Sequence, residues 1–339
     1  MRIFALSISA AFASLRVEEI AVSPFPMSIW TETPNRSLHD IEDWQKFYSR
    51  MASFVRGNRV GIEASEIILR VLNPTFSSNG TNLWADPSTS PMMTHLISTL
   101  ENENVALQFY PYMGEDEDLA AWAGIADSGN PLEGVFVLAH RWNKALEQKG
   151  SPHRFKGIFL EIDEFPHHDF SFNRKNVNQW KDKYDIQTIS IGIHYEDYHT
   201  FHKYESFVDY FYSGAFDLYT ESAKRITLRP ETSPFVQNPT NPLPVIEFIK
   251  NEVFHDPKVV EMYTRYGNKI ILVWSVQNKG STVCIYPLRG SCGHNYEAGT
   301  WGPDVAHSFF AEITAKKGIF ENVAGHGIFE FDLIPNSWV

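Results

Sequence analysis

The chain has 339 residues, of which 43% are hydrophobic and 14% aromatic, and its formal net charge is −12 at pH 7. That length and apolar content suit one large domain of roughly 250–300 residues with additional loops. A net negative charge without a basic run argues against nucleic-acid binding. No window approaches the roughly 20 consecutive apolar residues that a membrane-spanning helix needs.

The amino terminus has the pattern of a secretory signal peptide. Arg2 precedes a short apolar stretch, and Ala11-Phe12-Ala13 is a small-x-small cleavage site. A first strand over residues 3–9 is the alternative. We therefore expect a signal peptide over residues 1–13, followed by a single domain over residues 14–339. Asn35 and Asn79 each open a glycosylation acceptor triplet, which agrees with secretion to the outside of the cell.

Strand-like apolar runs alternate with amphipathic helical patterns, and this alternation predicts an α/β fold with a parallel sheet. The predicted strands cover residues 17–22, 59–64, 105–110, 155–165, 187–194, 208–216, 269–276 and 327–333. The predicted helices cover residues 38–56, 91–100, 131–149, 176–183, 245–253, 257–266 and 305–317. Eight strands separated by helices match a (β/α)8 TIM barrel.

The fourth predicted strand ends in three acids, Glu161, Asp163 and Glu164. Glu161 and Asp163 are two residues apart, so on a strand they share one face. Two carboxylates at the carboxyl end of a barrel strand are a common way to build a glycosidase site. A solvated acidic loop, or a bound cation, is the other interpretation of these residues. Glu196 follows the fifth predicted strand and extends the set of candidate acids.

Aromatic residues also lie at or near the predicted strand ends. They are Tyr110, Tyr112, Tyr195, Trp274 and Phe331. If they surround the barrel mouth, they form a cleft in which sugar rings can stack. Packing in the barrel core is the alternative, above all for Trp274 and Phe331.

Cys284 and Cys292 are the only cysteines, and they flank a glycine-containing loop. A local disulfide is expected in an oxidising compartment, and two free thiols are the alternative. Two cysteines without a clustered histidine pair argue against a zinc site. Histidines do follow strands four and five, but in a chain with 13 of them a surface position is the simpler interpretation. We expect no metal and no cofactor.

The fourth-strand stretch, residues 156–163, resembles the D-G-x-D-x-D-x-E motif of glycoside hydrolase family 18. This family contains the chitinases and catalytically inactive chitinase-like lectins. Gly157 matches the motif glycine, while Lys156 and Phe159 replace its two outer aspartates. Glu161 stands at the inner aspartate, and Asp163 stands at the catalytic glutamate.

The sixth and eighth strands extend the resemblance over roughly residues 100 to 335. Asp217 matches an aspartate of the family's sixth-strand pattern, but Gly214 and Phe216 replace its methionine and tyrosine. Phe331 stands where the family carries the tryptophan that floors the sugar site.

The resemblance implies substrate-assisted cleavage of glycans that contain N-acetylglucosamine, such as chitin. Asp163 would be the acid, Glu161 would orient the acetamido group, and Asp217 would hydrogen-bond the substrate. Phe216 has no hydroxyl, so one donor to the reacting amide is missing. Asp at the acid position is one methylene shorter than Glu, roughly 1–1.5 Å, and a displacement near 1 Å can cost on the order of a hundredfold in rate.

Three functions follow from these residues. The first is a secreted family-18-like glycosidase, which the two acids at the end of the fourth strand favour slightly. Glu164 is a further candidate acid for this function. The second is a silent barrel that binds glycan as the family's lectins do. The third is a structural wall or surface protein that uses the barrel as a scaffold.

Overall fold

A computed structural model describes somewhat more than half of the chain. The described residues are 27–31, 41–61, 64, 66–70, 91–105, 107–113, 119–161, 172–193, 198–214, 257–279, 282–286, 303–315, 321–329, 334 and 336–339. For some of them, mainly at the ends of helices and strands, only the backbone is described.

Eight α-helices lie in the described part of the chain. They are α1 (Ile41–Gly57), α2 (Pro91–Asn102), α3 (Leu119–Ile125), α4 (Pro131–Gln148), α5 (Arg174–Tyr184), α6 (Tyr198–Tyr204), α7 (Pro257–Tyr266) and α8 (Pro303–Thr314). Two short 3-10 turns cover Gly267–Lys269 and Asn336–Trp338. None of the helices in these residues is both long and apolar enough to cross a membrane.

Local sequence explains several helix ends. Asn130 caps α4 by accepting a hydrogen bond from the Leu132 amide at 3.0 Å, and Pro131 occupies the first helical turn. Asn173 caps α5 in the same way through the Asn176 amide. α5 ends at Asp185, which adopts the left-handed conformation that terminates helices.

Nine strands within the described residues form one sheet. They are β1 (Met27–Thr31), β2 (Glu66–Arg70), β3 (Gln108–Met113), β4 (Gly157–Glu161), β5 (Thr188–Ile193), β6 (Tyr210–Gly214), β7 (Ile270–Lys279), β8 (Thr282–Tyr286) and β9 (Gly325–Phe329). Strands β1 to β7 pair in parallel, each with the next strand in the sequence. β9 lies between β7 and β1 and pairs with both of them in parallel. The eight parallel strands therefore close into a ring, which confirms the (β/α)8 barrel. β8 is an antiparallel addition to β7.

The two faces of the ring pack differently. The outward face presents side chains such as Ile158, Ile191 and Leu272 to the surrounding helices, in one continuous apolar cluster. The inward face forms a second, smaller cluster with many aromatic rings. Its buried members are Ile68, Tyr110, Tyr112, Phe159, Tyr212, Ile271 and Val273. This separation follows from the two-residue alternation of side chains along each strand.

In the amino-terminal part, one strand prediction is wrong and another lies outside the described residues. The predicted second strand over residues 59–64 is wrong, because Asn58 and Gly61 have positive φ and form a turn after α1. The second strand begins at Glu66 instead. The first barrel position is occupied by β1, and the predicted strand over residues 17–22 lies outside the described residues.

Other boundaries differ by a few residues. The third strand begins at Gln108 instead of residue 105, because the Val105 amide bonds the Leu100 carbonyl at 2.8 Å and extends the end of α2. β7 continues to Lys279 and turns into β8, where the sequence predicted a loop. The predicted helix over residues 257–266 is confirmed, and the one over residues 245–253 lies outside the described residues.

Candidate functional site

The fourth strand carries its side chains alternately to the two faces of the barrel. Ile158 and Leu160 belong to the outward cluster, and Phe159 belongs to the inward one. Glu161 is therefore inward as well, because it lies two residues beyond Phe159. As the last residue of β4, it lies at the carboxyl end of the strand, the end at which barrel enzymes build their sites.

Two glycines make room for these inward side chains. A Cβ atom at Gly157 would clash with the Thr188 carbonyl and lie 2.6 Å from Cε1 of Tyr110. A Cβ atom at Gly192 would lie 3.2 Å from Cζ of Phe159 and 3.5 Å from Cγ of Glu161. Gly192 is the direct β5 neighbour of Glu161, so the Glu161 side chain lies beside backbone that carries no side chain.

Glu161 is neither fully buried nor fully exposed. The residue is partly exposed, whereas its Oε2 atom is buried. The ring of Phe159 lies beneath it on the same strand, edge-on to two tyrosines. The ring centroids are 5.2 Å from Tyr112 and 5.0 Å from Tyr212. A carboxyl group on an aromatic floor can accept hydrogen bonds from a polar ligand or hold a proton for it.

A second inward acid was not found from the sequence. Glu66, the first residue of β2, is only 2% exposed. Tyr110 donates its hydroxyl proton to Oε1 of Glu66 at 3.1 Å, and Tyr212 donates to Oε2 at 3.1 Å. Burying a carboxylate is costly unless such donors satisfy it, and groups of this kind are frequent near functional sites.

The negative charge of Glu66 contributes to the raised pKa values of the neighbouring tyrosines. Burial raises the pKa of Tyr110 well above its usual value, and the nearby Glu66 charge raises it further. Burial also raises the pKa of the half-buried Tyr210, with Glu66 and Asp209 adding to the effect. Each of these phenols stays protonated, and Tyr110 acts as a donor toward Glu66.

Tyr110 and Tyr112 differ from the stacking surface that the sequence predicted. Their exposed fractions are 1% and 0%, and both belong to the inward cluster. A ring buried to this extent has no face open to a sugar, so these two tyrosines form barrel core. This result corrects their assignment as open stacking platforms, and the core alternative applies instead.

Most other predicted site residues lie outside what the structure describes. Only the backbone of Trp274, in β7, and of Cys284, in β8, is described. The candidates outside the described residues are Asp163, Glu164, Tyr195, Glu196, Phe216, Asp217, Phe331, Cys292, Asn35 and Asn79. Of the predicted acids, the structure therefore places Glu161 alone.

The sequence contained a weak signal for the residues that were missed. Glu66 opens the run Glu-Ile-Ile-Leu-Arg, where an acid shares the strand face with Ile68. Tyr210 and Tyr212 alternate with an apolar residue in β6, so they share one face as well. Within the described part of the chain, no group of three or more His, Cys, Asp or Glu residues is arranged to hold a metal ion.

No protein-family model matches the chain, and no curated protein matches it. Among solved structures, it is similar to a Group IV chitinase from Ostrinia furnacalis in complex with allosamidin, with 8% identity and a TM-score of 0.42. That match covers 91% of this chain and 92% of the chitinase. The family 18 chitinase ChiB of Flavobacterium johnsoniae has 11% identity and a TM-score of 0.43, over 93% of this chain and 90% of that one.

A family 51 arabinofuranosidase from Xanthomonas axonopodis pv. citri has 11% identity and a TM-score of 0.34, over 88% of this chain and 61% of that one. At these identities and scores, the likenesses carry no argument about the activity of this chain. The barrel assignment rests on the strand pairings.

Proposed function

We propose that the carboxyl-terminal mouth of this barrel binds glycans that contain N-acetylglucosamine, such as chitin, and hydrolyses them. The observation that carries the proposal is the place of Glu161, an inward and partly exposed acidic residue at the carboxyl end of β4. This is the strand position at which the family 18 motif has an aspartate that orients the substrate. The agreement of strand, face and residue type supports the proposal.

In the proposed reaction, Asp163 donates a proton to the glycosidic oxygen, the bond between this oxygen and the anomeric carbon breaks, and the oxygen of the sugar's own acetamido group bonds the anomeric carbon. Water then attacks the anomeric carbon, opens the resulting ring and returns a proton to Asp163. Glu161 holds the acetamido group in the attacking orientation, and Asp217 hydrogen-bonds the substrate. Asp163 follows Glu161 by two residues in the sequence, and this short spacing supports their cooperation. Two neighbouring carboxyl groups also favour one staying protonated as the acid.

A silent glycan-binding barrel is the second candidate, and one observation favours it. Phe159 occupies the position of a motif aspartate, and its ring packs edge-on between Tyr112 and Tyr212. A phenyl ring at this position cannot exchange protons as the motif aspartate does. In this case Glu161 would hydrogen-bond the glycan without any cleavage.

The test is hydrolysis of a chromogenic N-acetylglucosamine oligomer by the full chain, beside Asp163→Ala and Glu161→Ala. Glu147→Ala, at an exposed position of α4, is the matched control. We expect turnover that either site variant abolishes and the control keeps. Binding by calorimetry without turnover would replace the hydrolase with the silent barrel. Neither turnover nor binding would overturn both, and would leave a scaffold protein.

We also propose that the protein is secreted, with removal of residues 1–13, glycans on Asn35 and Asn79, and a disulfide between Cys284 and Cys292. The sequence patterns described above support this proposal. Mass spectrometry of the protein recovered from the medium of a eukaryotic host tests all three features. An intact Met1 together with two free thiols would contradict it.

A further inference from the structure

A chain of contacts links the buried Glu66 to Glu161. Tyr212 donates its hydroxyl to Oε2 of Glu66 at 3.1 Å, and its ring meets Phe159 edge-on at 5.0 Å. The far end of the Phe159 ring and Cγ of Glu161 both lie against the Gly192 position. The first two links are direct contacts, the third is the shared approach of Phe159 and Glu161 to Gly192, and the chain runs from the amino end of β2 to the carboxyl end of β4.

The buried carboxylate is an expensive way to fill this space. An apolar side chain of similar volume commonly stabilises a core as well as a buried charged group does. A carboxylate can fix the orientation of a tyrosine ring, because a hydrogen bond is directional and an apolar contact is not. Glu66 fixes two rings, those of Tyr110 and Tyr212, on strands at different positions around the barrel.

We propose that Glu66 is a positioning residue for Glu161, acting through Tyr212 and Phe159. The inference rests on the proposed function, in which Glu161 contacts the glycan. Glu66 holds the Tyr212 ring, this ring sets the angle of Phe159, and Phe159 with Gly192 sets the place of the Glu161 carboxyl group. Glu66 itself is buried and does not touch the substrate.

The two tyrosines provide a matched pair of variants. Tyr110→Phe and Tyr212→Phe each remove one hydroxyl that donates to Glu66 at 3.1 Å. Both should therefore lower the unfolding midpoint to a similar extent. The rings differ in their neighbours, because an edge-on contact with Phe159 is observed for Tyr212. Only Tyr212→Phe should therefore change the position of the Glu161 carboxyl group.

The first readout is the side-chain carboxyl carbon signal of Glu161, observed by NMR in glutamate-labelled protein and assigned by its loss in Glu161→Gln. We expect Tyr212→Phe to move this signal and its pH titration, and Tyr110→Phe to leave both in place. Equal shifts in the two variants, or a shift in neither, would overturn the proposal. If Tyr212→Phe fails to fold, Glu66→Leu, which removes both acceptor oxygens, is measured in the same way, with a shift expected.

The second readout is the dissociation constant for an N-acetylglucosamine oligomer. We expect about tenfold weaker binding for Tyr212→Phe and less than about a twofold change for Tyr110→Phe, because small displacements of a contacting group are costly. If the unaltered protein binds no oligomer, the proposed function fails. The NMR comparison still decides whether Glu66 positions Glu161, so the two failures are distinct.

Discussion

The barrel interior and the outer helical layer each bury a glutamate, and the two residues are held differently. Glu66 in the interior is 2% exposed, and its donors include two tyrosine hydroxyls. Glu133 in the first turn of α4 is 1% exposed and accepts from the Ser128 amide at 2.7 Å, the Tyr184 hydroxyl at 2.6 Å and Lys183 at 3.0 Å.

The partners of Glu133 are those of a stabilising site. A cation, a backbone amide and the amino end of a helix all favour its negative charge. Burial opposes ionisation most strongly, but the hydrogen bonds from Ser128, Tyr184 and Lys183 together outweigh it and lower the pKa of Glu133 to about 2. The site joins α4 to α5, because Tyr184 and Lys183 lie at the end of α5.

The contrast indicates that the two regions put buried charge to different uses. In the helical layer, the charge strengthens the attachment of one helix to the next. In the barrel interior, phenol donors give less electrostatic gain but fix the directions of aromatic rings beneath Glu161. Substitutions in the two regions should therefore differ in kind as well as in size.

The largest expected effect is that of Gly157→Ala in the barrel interior. The added methyl would clash with the Thr188 carbonyl and lie 2.6 Å from the Tyr110 ring, so the variant should lose at least about 3 kcal/mol of unfolding free energy. Gly124→Ala in α3 is the control, because no atom lies within 4 Å of its added methyl. Urea unfolding measures both. Equal stability of the two variants would mean that the interior is less closely packed than its contacts indicate.

Glu133→Gln tests the helical layer, and we expect a loss of about 3 kcal/mol. The amide keeps the shape of the side chain but removes the charge that Lys183 and the Ser128 amide favour. Glu147→Gln on the exposed face of the same helix should change stability by less than about 0.5 kcal/mol. Urea unfolding at pH 7 gives the comparison, and similar values for the two variants would contradict the stabilising role.

The pH dependence of stability isolates the charge of Glu133. Its folded pKa is lowered from 4.5 to about 2, so its contribution is complete above about pH 5 and is lost as the pH falls toward 2. Between pH 6 and pH 3, the unaltered protein should lose about 2 kcal/mol more than Glu133→Gln does. Urea midpoints at the two pH values provide the measurement. Parallel losses in both proteins would show that other acids dominate.

The sequence predicted the barrel well because its strands and helices leave local signals. The apolar run before Glu161 and the Asn130-Pro131 start of α4 each locate an element from a few adjacent residues. Glu66 was missed because residues 59–64 resemble a strand and were assigned as the second one. In the structure, Asn58 and Gly61 have positive φ and form a turn in that region, and the strand begins only at Glu66. Its tyrosine partners lie 44 and 146 residues away in the chain, a distance that no local pattern spans.

Among the substitutions at buried positions, Glu66→Gln should have the smallest effect on stability, a loss of about 1 kcal/mol. The amide oxygen still accepts from one tyrosine, and the other hydroxyl can rotate to accept from the amide nitrogen. Removing a charge from the dry interior also recovers part of the cost of burying it. Urea unfolding beside Glu133→Gln therefore compares one substitution at two buried glutamates.

A loss at Glu66 as large as that at Glu133 would contradict this contrast, because it would show that charge stabilises both regions alike. A small loss at Glu66 beside a large loss at Glu133 would support two different uses of a buried acid. The helical layer would then depend on its charge for stability, and the interior would depend on its hydrogen bonds for geometry.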